Sequence, residues 1–421
     1  MRAPICSEDA SEALSASVIE SPHAFYARLR ESSPLSRIGE TGVHLVASWD
    51  LVEEALDREG DFSAHLTGVL IRDAEGAPST FTLPMTGATQ VIATADEPDH
   101  AVHRSVIQPR LTPARISQLE ETLRRWSSEA LSDWQAAGGG DVIPLCERIP
   151  ALALAHVLGL PESDVERFRV WAMMGGDMLA GDASAERLGK LGHETGQMAA
   201  YLADHLERAL ERLSSTSASI NAPAPTSRES EPLFHDLARA VKANRISQET
   251  AVGISIVLFG AAGESTAALL GSCALWLAKD PDLAQQLRAE PKLIPRFVEE
   301  IVRLEPPFKF HYRSVTRDCS LGGYELVKGD RLMLLWAAAN RDAAYFEEPD
   351  RMRLDRRFPK RHMGFGRGTH FCVGATLARL EARIWVEALL DADAPLLQSS
   401  ESETIYAKSI FVRRLERLVL N

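Results

Sequence analysis

No Cys-x-x-Cys pair occurs in the chain, and its five cysteines (Cys6, Cys146, Cys273, Cys319 and Cys372) are far apart, odd in number and never at zinc-ligand spacing. A disulfide framework is therefore not expected, and a reducing, cytoplasmic setting is the natural reading. Basic residues are in deficit: 46 Lys and Arg stand against 59 Asp and Glu, a formal net charge of −13. A broad nucleic-acid or anionic-membrane footprint needs the opposite balance, so only a local basic patch remains open. The opening residues, Met1 to Pro22, hold no apolar run of the signal-peptide kind. Core material is not lacking. Of the 421 residues, 45 % are hydrophobic and 25 % charged, which excludes wholesale disorder, a coiled coil and a collagen-like fibre.

What is present is mainly helical periodicity. Apolar residues recur at helical spacing over 21–32, 49–59, 100–108, 116–136, 150–158, 163–178, 186–212, 248–279, 281–289 and 294–304. Short β-like runs fall near 35–38, 44–46, 321–322, 331–335 and in the C-terminal tail. The fold class is mostly α with small β-sheets. Residues 214–232 are Ser/Ala/Pro-rich and read as a flexible surface loop, because helical pattern resumes on both sides. Residues 1–20 read as a flexible tail and 21–421 as a single domain.

The apolar stretch Val252–Ala278 raises the possibility of a membrane span. Gly253, Gly260, Gly263 and Glu264 lie inside it, and an ionisable residue at mid-span is costly in lipid. A helix buried through a large protein accounts for it better, so no membrane insertion is expected.

The segment richest in chemistry is Gly364–Arg383, GFGRGTHFCVGATLARLEAR. Alternating glycines let backbone approach something flat and bulky, and Cys372 follows where a helix begins. Backbone N–H groups and the helix dipole favour a thiolate there, and a thiolate is a good soft ligand for iron. A dinucleotide loop is the rival reading, but G-x-G-x-G lacks the G-x-G-x-x-G spacing and no βαβ unit follows. An inert place in the core suits Cys146 and Cys273. It does not suit a cysteine set among Gly368, His370 and Gly374.

From Phe365 to Glu381 this segment resembles the haem-binding signature of the cytochrome P450 family, F-G-x-G-x-H-x-C-x-G-x-x-L-A-R-x-E. The resemblance extends over nearly the whole chain, with the family's other signatures in order. It implies haem b with Cys372 as the axial thiolate on iron, and Phe365 and Gly366 against the cofactor. Glu300 and Arg303 look like the E-x-x-R motif, which in the family is buried and ties the core to the segment around Asn340-Arg341-Asp342. His100 and Arg104 resemble its H-x-x-x-R helix. By the same resemblance they grip the haem propionates together with Arg313 and His370, and His311 joins them.

Ala261-Ala262-Gly263-Glu264-Ser265-Thr266 resembles the family's A-G-x-[D/E]-T-T segment, on a central helix above the haem. The resemblance implies room for dioxygen beside Ala261 and catalytic roles for Glu264, Ser265 and Thr266, the acid–alcohol pair serving as a proton relay. Two residues depart from the pattern. Ala262 replaces Gly, and Ser265 replaces Thr, keeping the hydroxyl but losing the methyl that restricts its rotamer.

The resemblance further implies electrons from a ferredoxin and its reductase, since no flavin or nicotinamide signature is present. A basic cluster (Arg351, Arg353, Arg356, Arg357, Lys360 and Arg361, with Arg110 and Arg115) is a candidate docking face. A solvated basic face is the plainer alternative. The pocket is expected to draw on 62–94, 173–182, Ala261–Ser265, Phe308–Phe310 and Ser409–Phe411, with Ala261, Phe308, Ile410 and Phe411 as contacts. Those segments are mainly apolar and suit a medium-sized, largely apolar small molecule. Lys309 is placed either to meet an acid or to reach outward. Hydroxylation in secondary-metabolite biosynthesis is the leading function. Oxidative C–C or C–N coupling of aromatic metabolites such as cyclic dipeptides and a non-catalytic haem sensor or carrier are the alternatives. A monomer is expected.

Overall fold

The computed structural model describes residues 5–6, 8–83, 90–181, 185–218, 231–391, 397–398 and 402–421. Its main sheet is assembled from short strands far apart in sequence. These are β1 (Ile5–Cys6), β2 (Leu35–Arg37), β3 (Val43–Val46) and β4 (Phe62–Ser63), and later β7 (His311–Val315) and β8 (Arg331–Leu334); β5 (Gly68–Arg72) and β6 (Pro78–Thr82) form a separate hairpin. The sheet order is β1-β2-β3-β8-β7-β4, with β8 parallel to β3 and antiparallel to β7. In that register Leu332 faces Arg313 and Leu334 faces His311, which fixes two side chains of the site.

Five helices position the remaining site residues: α1 (Asp99–Ile107), α2 (Val165–Met178), α3 (Gln248–Lys279), α4 (Ile294–Leu304) and α5 (Ala375–Leu390). The central helix α3 is apolar nearly all round, the pattern of a helix enclosed by protein. Ala251, Ile254, Phe259, Leu270, Cys273 and Ala274 are completely buried in the core, and this is the stretch whose composition would also suit a membrane. Ser247 caps its start, accepting a hydrogen bond from Thr250 N at 3.0 Å. It ends at Asp280, whose carboxylate caps the next helix through Leu283 N at 2.9 Å. Between these ends, Phe259–Glu264 winds as a π-helical turn. A Cβ on Gly263 would lie 2.4 Å from the Cβ of Ala172, so glycine is required where α2 crosses α3.

The structure corrects the sequence reading in several places. Residues 8–20, expected to be loose, form helices Glu8–Ser11 and Ala16–Glu20 with Ala10, Leu14 and Val18 buried. Their apolar spacing is too brief to stand out alone, but it covers Phe25 and Tyr26 in the same cluster. The long helix Ala185–Ala218 runs into the loop expected at 214–232, of which 219–230 lie outside the described residues. Helix Leu233–Lys242 has no counterpart among the expected segments, although Leu233, Phe234, Leu237 and Ala238 give it a buried stripe.

Candidate functional site

Gly366 and Gly368 take φ of 67° and 66°, a left-handed conformation costly for other residues, and so turn the chain sharply ahead of α5. Cys372 N donates to Phe365 O at 2.8 Å and closes the loop. Burial pushes the Cys372 thiol up, while the N–H groups of Gly374 and Ala375 and the charges of Arg379 and Arg104 pull it down. Cys273 has only burial acting on it. The thiol of Cys372 is thus surrounded by groups that favour a thiolate once a cation is bound.

Two buried ionic networks hold this loop. In the first, Arg303 pairs with Glu300 through two hydrogen bonds of 2.7 and 2.8 Å. Its remaining donors reach Asn340 O, Pro349 O and Arg351 O at 3.0, 2.6 and 3.0 Å. Asn340 Oδ1 in turn accepts from Met363 N at 2.6 Å, just before the glycine loop. In the second, unforeseen from the sequence, Glu299 accepts from Arg379 at 2.6 and 3.1 Å and lies 2.9 Å from His362 Nε2. His362 Nδ1 receives Gly364 N at 3.2 Å, and the Arg379 guanidinium covers the Phe365 ring at 4.4 Å. A glutamate beside the E-x-x-R acid was the only sequence signal for this second network.

Phe365, Gly366, His370 and Cys372 share a cavity of about 220 Å³ with His100, Arg104, Ala261, Ser265, Thr266, Phe308, His311 and Arg313. Cys372 is the one cysteine in its wall among the described residues. Cationic and donor groups gather at one end. The rings of His100 and His370 lie 4.2 Å apart, and His100 Nδ1 is 2.9 Å from Glu97 Oε1. Arg104 donates to Phe371 O at 2.8 Å. Arg313 is buried, with Tyr312 O at 2.8 Å as its hydrogen-bond partner among the described residues. Desolvation lowers its pKa to about 10, and burial, Arg313 and His100 hold His370 down to about 4. His370 Nδ1 is sealed from solvent without a partner. Such uncompensated donors call for an anion. Arg313 and His370 also border a second cavity of about 380 Å³, lined by Asp96 and Glu97 among others.

The opposite wall is the π-helical turn of α3. Ala261, Ala262, Ser265 and Thr266 line the cavity there, and Ser265 Oγ donates to Ala261 O. Glu264 faces the other way. Its carboxylate accepts from Gly176 N at 2.9 Å on α2 and from Arg414 Nε at 3.2 Å. Burial pushes its pKa up to about 8 against the pull of those two donors and with help from Asp177.

The expected pocket contacts are partly corrected. Ala261 and Phe308 are in the wall, but Ile410 and Phe411 stand behind it. Phe411 stacks on Phe308 with ring centroids 4.6 Å apart, and Ile410 packs towards Gly181 and Leu14. Phe310 is fully buried in the core. Lys309 neither meets an acid nor reaches solvent: it is buried, donates to Ser409 O at 2.6 Å, and is lowered by burial to about 7. From the expected segment 62–94, Ile92 and Ala93 reach the cavity, because 68–82 is spent on the hairpin. Residues 84–89 of that segment, and Asp182, lie outside the described residues.

A half-buried cysteine at a helix start, facing a small-residue turn across a cavity whose far end gathers arginine and histidine donors, defines a haem-thiolate site. The donors fit that group: Cys372 for iron, and Arg313, His100, Arg104 and His370 for two carboxylates. Comparison with known proteins agrees. The family model "Cytochrome P450" matches residues 188–417. Cytochrome P450 144 of Mycobacterium tuberculosis is 37 % identical over 98 % of this chain and 92 % of its own length. Vitamin D(3) 25-hydroxylase of Pseudonocardia autotrophica is 30 % identical over 95 % and 93 %. The crystal structure of CYP109E1 from Bacillus megaterium in complex with testosterone superposes with a TM-score of 0.80, at 26 % identity over 96 % and 99 %. The chain belongs to the cytochrome P450 family, whose members bind haem through a cysteine thiolate on iron.

Proposed function

We propose that this protein is a soluble, cytoplasmic, monomeric monooxygenase that hydroxylates a medium-sized, largely apolar small molecule in secondary-metabolite biosynthesis, with electrons from a ferredoxin and its reductase. The observation that carries the reading is Cys372, placed at the head of α5 in a wall of the cavity that Ala261 and Ser265 face. When bound, the haem supplies the activation of dioxygen, and the thiolate raises electron density on its iron. Arg313, His100, Arg104 and His370 hold its carboxylates. Phe308, Leu258, Val257 and Ile92 form an apolar surface for the substrate. Testosterone and vitamin D3, named with two of the similar proteins, are largely apolar, as this surface requires.

The optical titration of the purified ferric protein with lipids, terpenoids, steroids and cyclic dipeptides tests this. A low- to high-spin Soret shift with one class is expected. Absence of any haem spectrum overturns the assignment. Labelled dioxygen then separates hydroxylation, which incorporates it, from oxidative coupling, which does not.

Ser265 Oγ and Glu264 are the proton-handling pair. Glu264 carries its proton below a pH of about 8, and because Gly176 N and Arg414 hold the carboxyl away from the cavity, the side chain must turn inward to pass that proton towards Ser265. Glu264→Gln is expected to lower product formed per NAD(P)H by roughly a hundredfold and to raise the peroxide yield. As pH rises past about 8 the wild type loses coupling, because the carboxyl ionises, while the Gln variant stays flat. An unchanged peroxide yield in Glu264→Gln excludes the relay. The same group makes folding stability fall as pH rises from about 4.5 to about 8, where the folded protein keeps a proton that the unfolded chain has released.

The docking face for the electron donor is narrower than the count of arginines suggests. Arg356 is turned inward onto Glu300 at 2.9 Å, Arg351 pairs with Glu348 at 2.6 Å, and Arg353 pairs with Glu347 and Asp355 at 2.9 Å each. Arg110 pairs with Asp236. Arg357, Lys360 and Arg361 remain on the surface, beside the exposed Phe358. First electron transfer from a ferredoxin is expected to slow by roughly tenfold between about 0.01 and about 0.5 M salt. A rate indifferent to salt excludes electrostatic docking at this face.

A further inference from the structure

His311 and Arg313 both project from β7 into the same cavity, one pleat apart, or roughly 6.6 Å along the strand. Arg313 also borders the second cavity, with Asp96 and His370, whereas His311 does not. His311 lies against the apolar wall. Its ring meets Phe308 edge-on at 5.7 Å and Phe411 at 5.6 Å. It thus stands where the apolar wall meets the carboxylate-binding groups, with Phe308 and Phe411 on one side and Arg313 and His370 near enough to act on its charge.

The orientation of the ring is fixed from behind. Buried Trp336 donates its indole Nε1–H to His311 Nδ1 at 2.7 Å. An indole nitrogen is only a donor, so Nδ1 must be the acceptor and the imidazole proton must sit on Nε2. Burial, reinforced by Arg313 and His370, lowers the ring's pKa to about 3, so it is neutral throughout the physiological range. Nε2 has no protein partner among the described residues, and it is not sealed in the interior. A lone N–H in an apolar wall is costly to leave without an acceptor, and the surrounding phenyl rings offer none.

We propose that His311, locked by Trp336 as the Nε2–H tautomer, is a specificity-determining residue that donates a hydrogen bond to a neutral acceptor oxygen (carbonyl, ether or hydroxyl) on the substrate. The inference rests on the haem-thiolate reading and refines its substrate class: an apolar body with one acceptor oxygen directed at β7. Trp336 is the positioning residue that keeps the donor facing inward.

The test uses phenylimidazole, which reports binding through the haem spectrum, against its 2-, 3- and 4-acetylphenyl derivatives. At least one acetyl isomer is expected to bind roughly three- to tenfold tighter than the parent. His311→Phe should bring that ratio to about one while parent binding and haem content persist. His311→Gln, which keeps an N–H donor, should restore part of the ratio. Trp336→Phe should lower it, because the proton is then free to move to Nδ1. A normal shift with the parent but no gain for any isomer, or a gain that survives His311→Phe, overturns the inference alone. Haem loss from His311→Phe with no effect of His311→Gln on the ratio returns the residue to cofactor binding. Failure of the parent to shift the spectrum overturns the haem reading as well.

Discussion

Arg303→Met is expected to destabilise the protein by about 3–5 kcal/mol, the usual consequence of stripping one partner from a buried ion pair. Arg303 and Glu300 are both fully buried, and the arginine makes five hydrogen bonds, to Glu300, Asn340, Pro349 and Arg351. Removing the guanidinium leaves the Glu300 carboxylate with Arg356 and one backbone N–H at 3.1 Å. It also frees the carbonyls of Asn340 and Pro349, while that of Arg351 keeps Arg356 at 3.2 Å. The expected readouts are a lower denaturation midpoint and poor haem retention in the same variant. Arg303→Lys should rescue little, since a single ammonium cannot replace a planar fork of donors. A midpoint within the range of ordinary surface substitutions, about 0.5 kcal/mol, is incompatible with this role.

Cys372→Ser should leave the fold in place and abolish the thiolate character of the haem spectrum. Cys372 is half-buried at a helix start, and serine is nearly its equal in size. The backbone bond from residue 372 to Phe365 O is indifferent to the change. What disappears is the soft anionic ligand. Turnover should therefore fall by more than the roughly 10–100-fold that loss of an outer partner to a metal ligand costs. The comparison variant is Cys273→Ser, a buried cysteine outside the cavity, which should keep a normal spectrum. If Cys372→Ser retains the thiolate signature, another cysteine holds the iron and the site has been placed wrongly.

The helices that carry their own punctuation were legible in the sequence to the residue. Pro281–Ala289 begins at an Asp-Pro pair, and Ile294–Leu304 ends where Glu305-Pro306 cannot continue it. The Gly-rich loop and its cysteine were equally plain, because few other structures use that spacing. Layering was not legible. Phe308 and Phe411 are both aromatic and both belong to segments near the cavity, yet one forms the wall and the other stacks behind it. Residue type gives the kind of contact a side chain makes, but not how many residues stand between it and the site. Charge counting failed for the same reason. Arg356 adds one to any tally of basic residues, but its guanidinium is spent on Glu300 and contributes little to the outer field. Glu299 and His362 show the converse, since two ordinary polar residues acquire a task only when α4 brings them within 2.9 Å.

The π-helical turn Phe259–Glu264 divides α3 into two phases. An α-helix advances about 100° per residue, and a wide turn is in effect a one-residue insertion that the helix absorbs without breaking. The segment before it, with Val257 and Leu258, and the segment after it, with Ser265 and Thr266, thus read the same cavity from registers that a uniform helix could not reconcile. The winding of this turn acts as an address. Winding 259–264 as a regular α-helix with every residue kept would rotate everything downstream by about 100°. Ser265 would then leave the cavity and Glu264 would leave Arg414, although every residue type near the site had been kept.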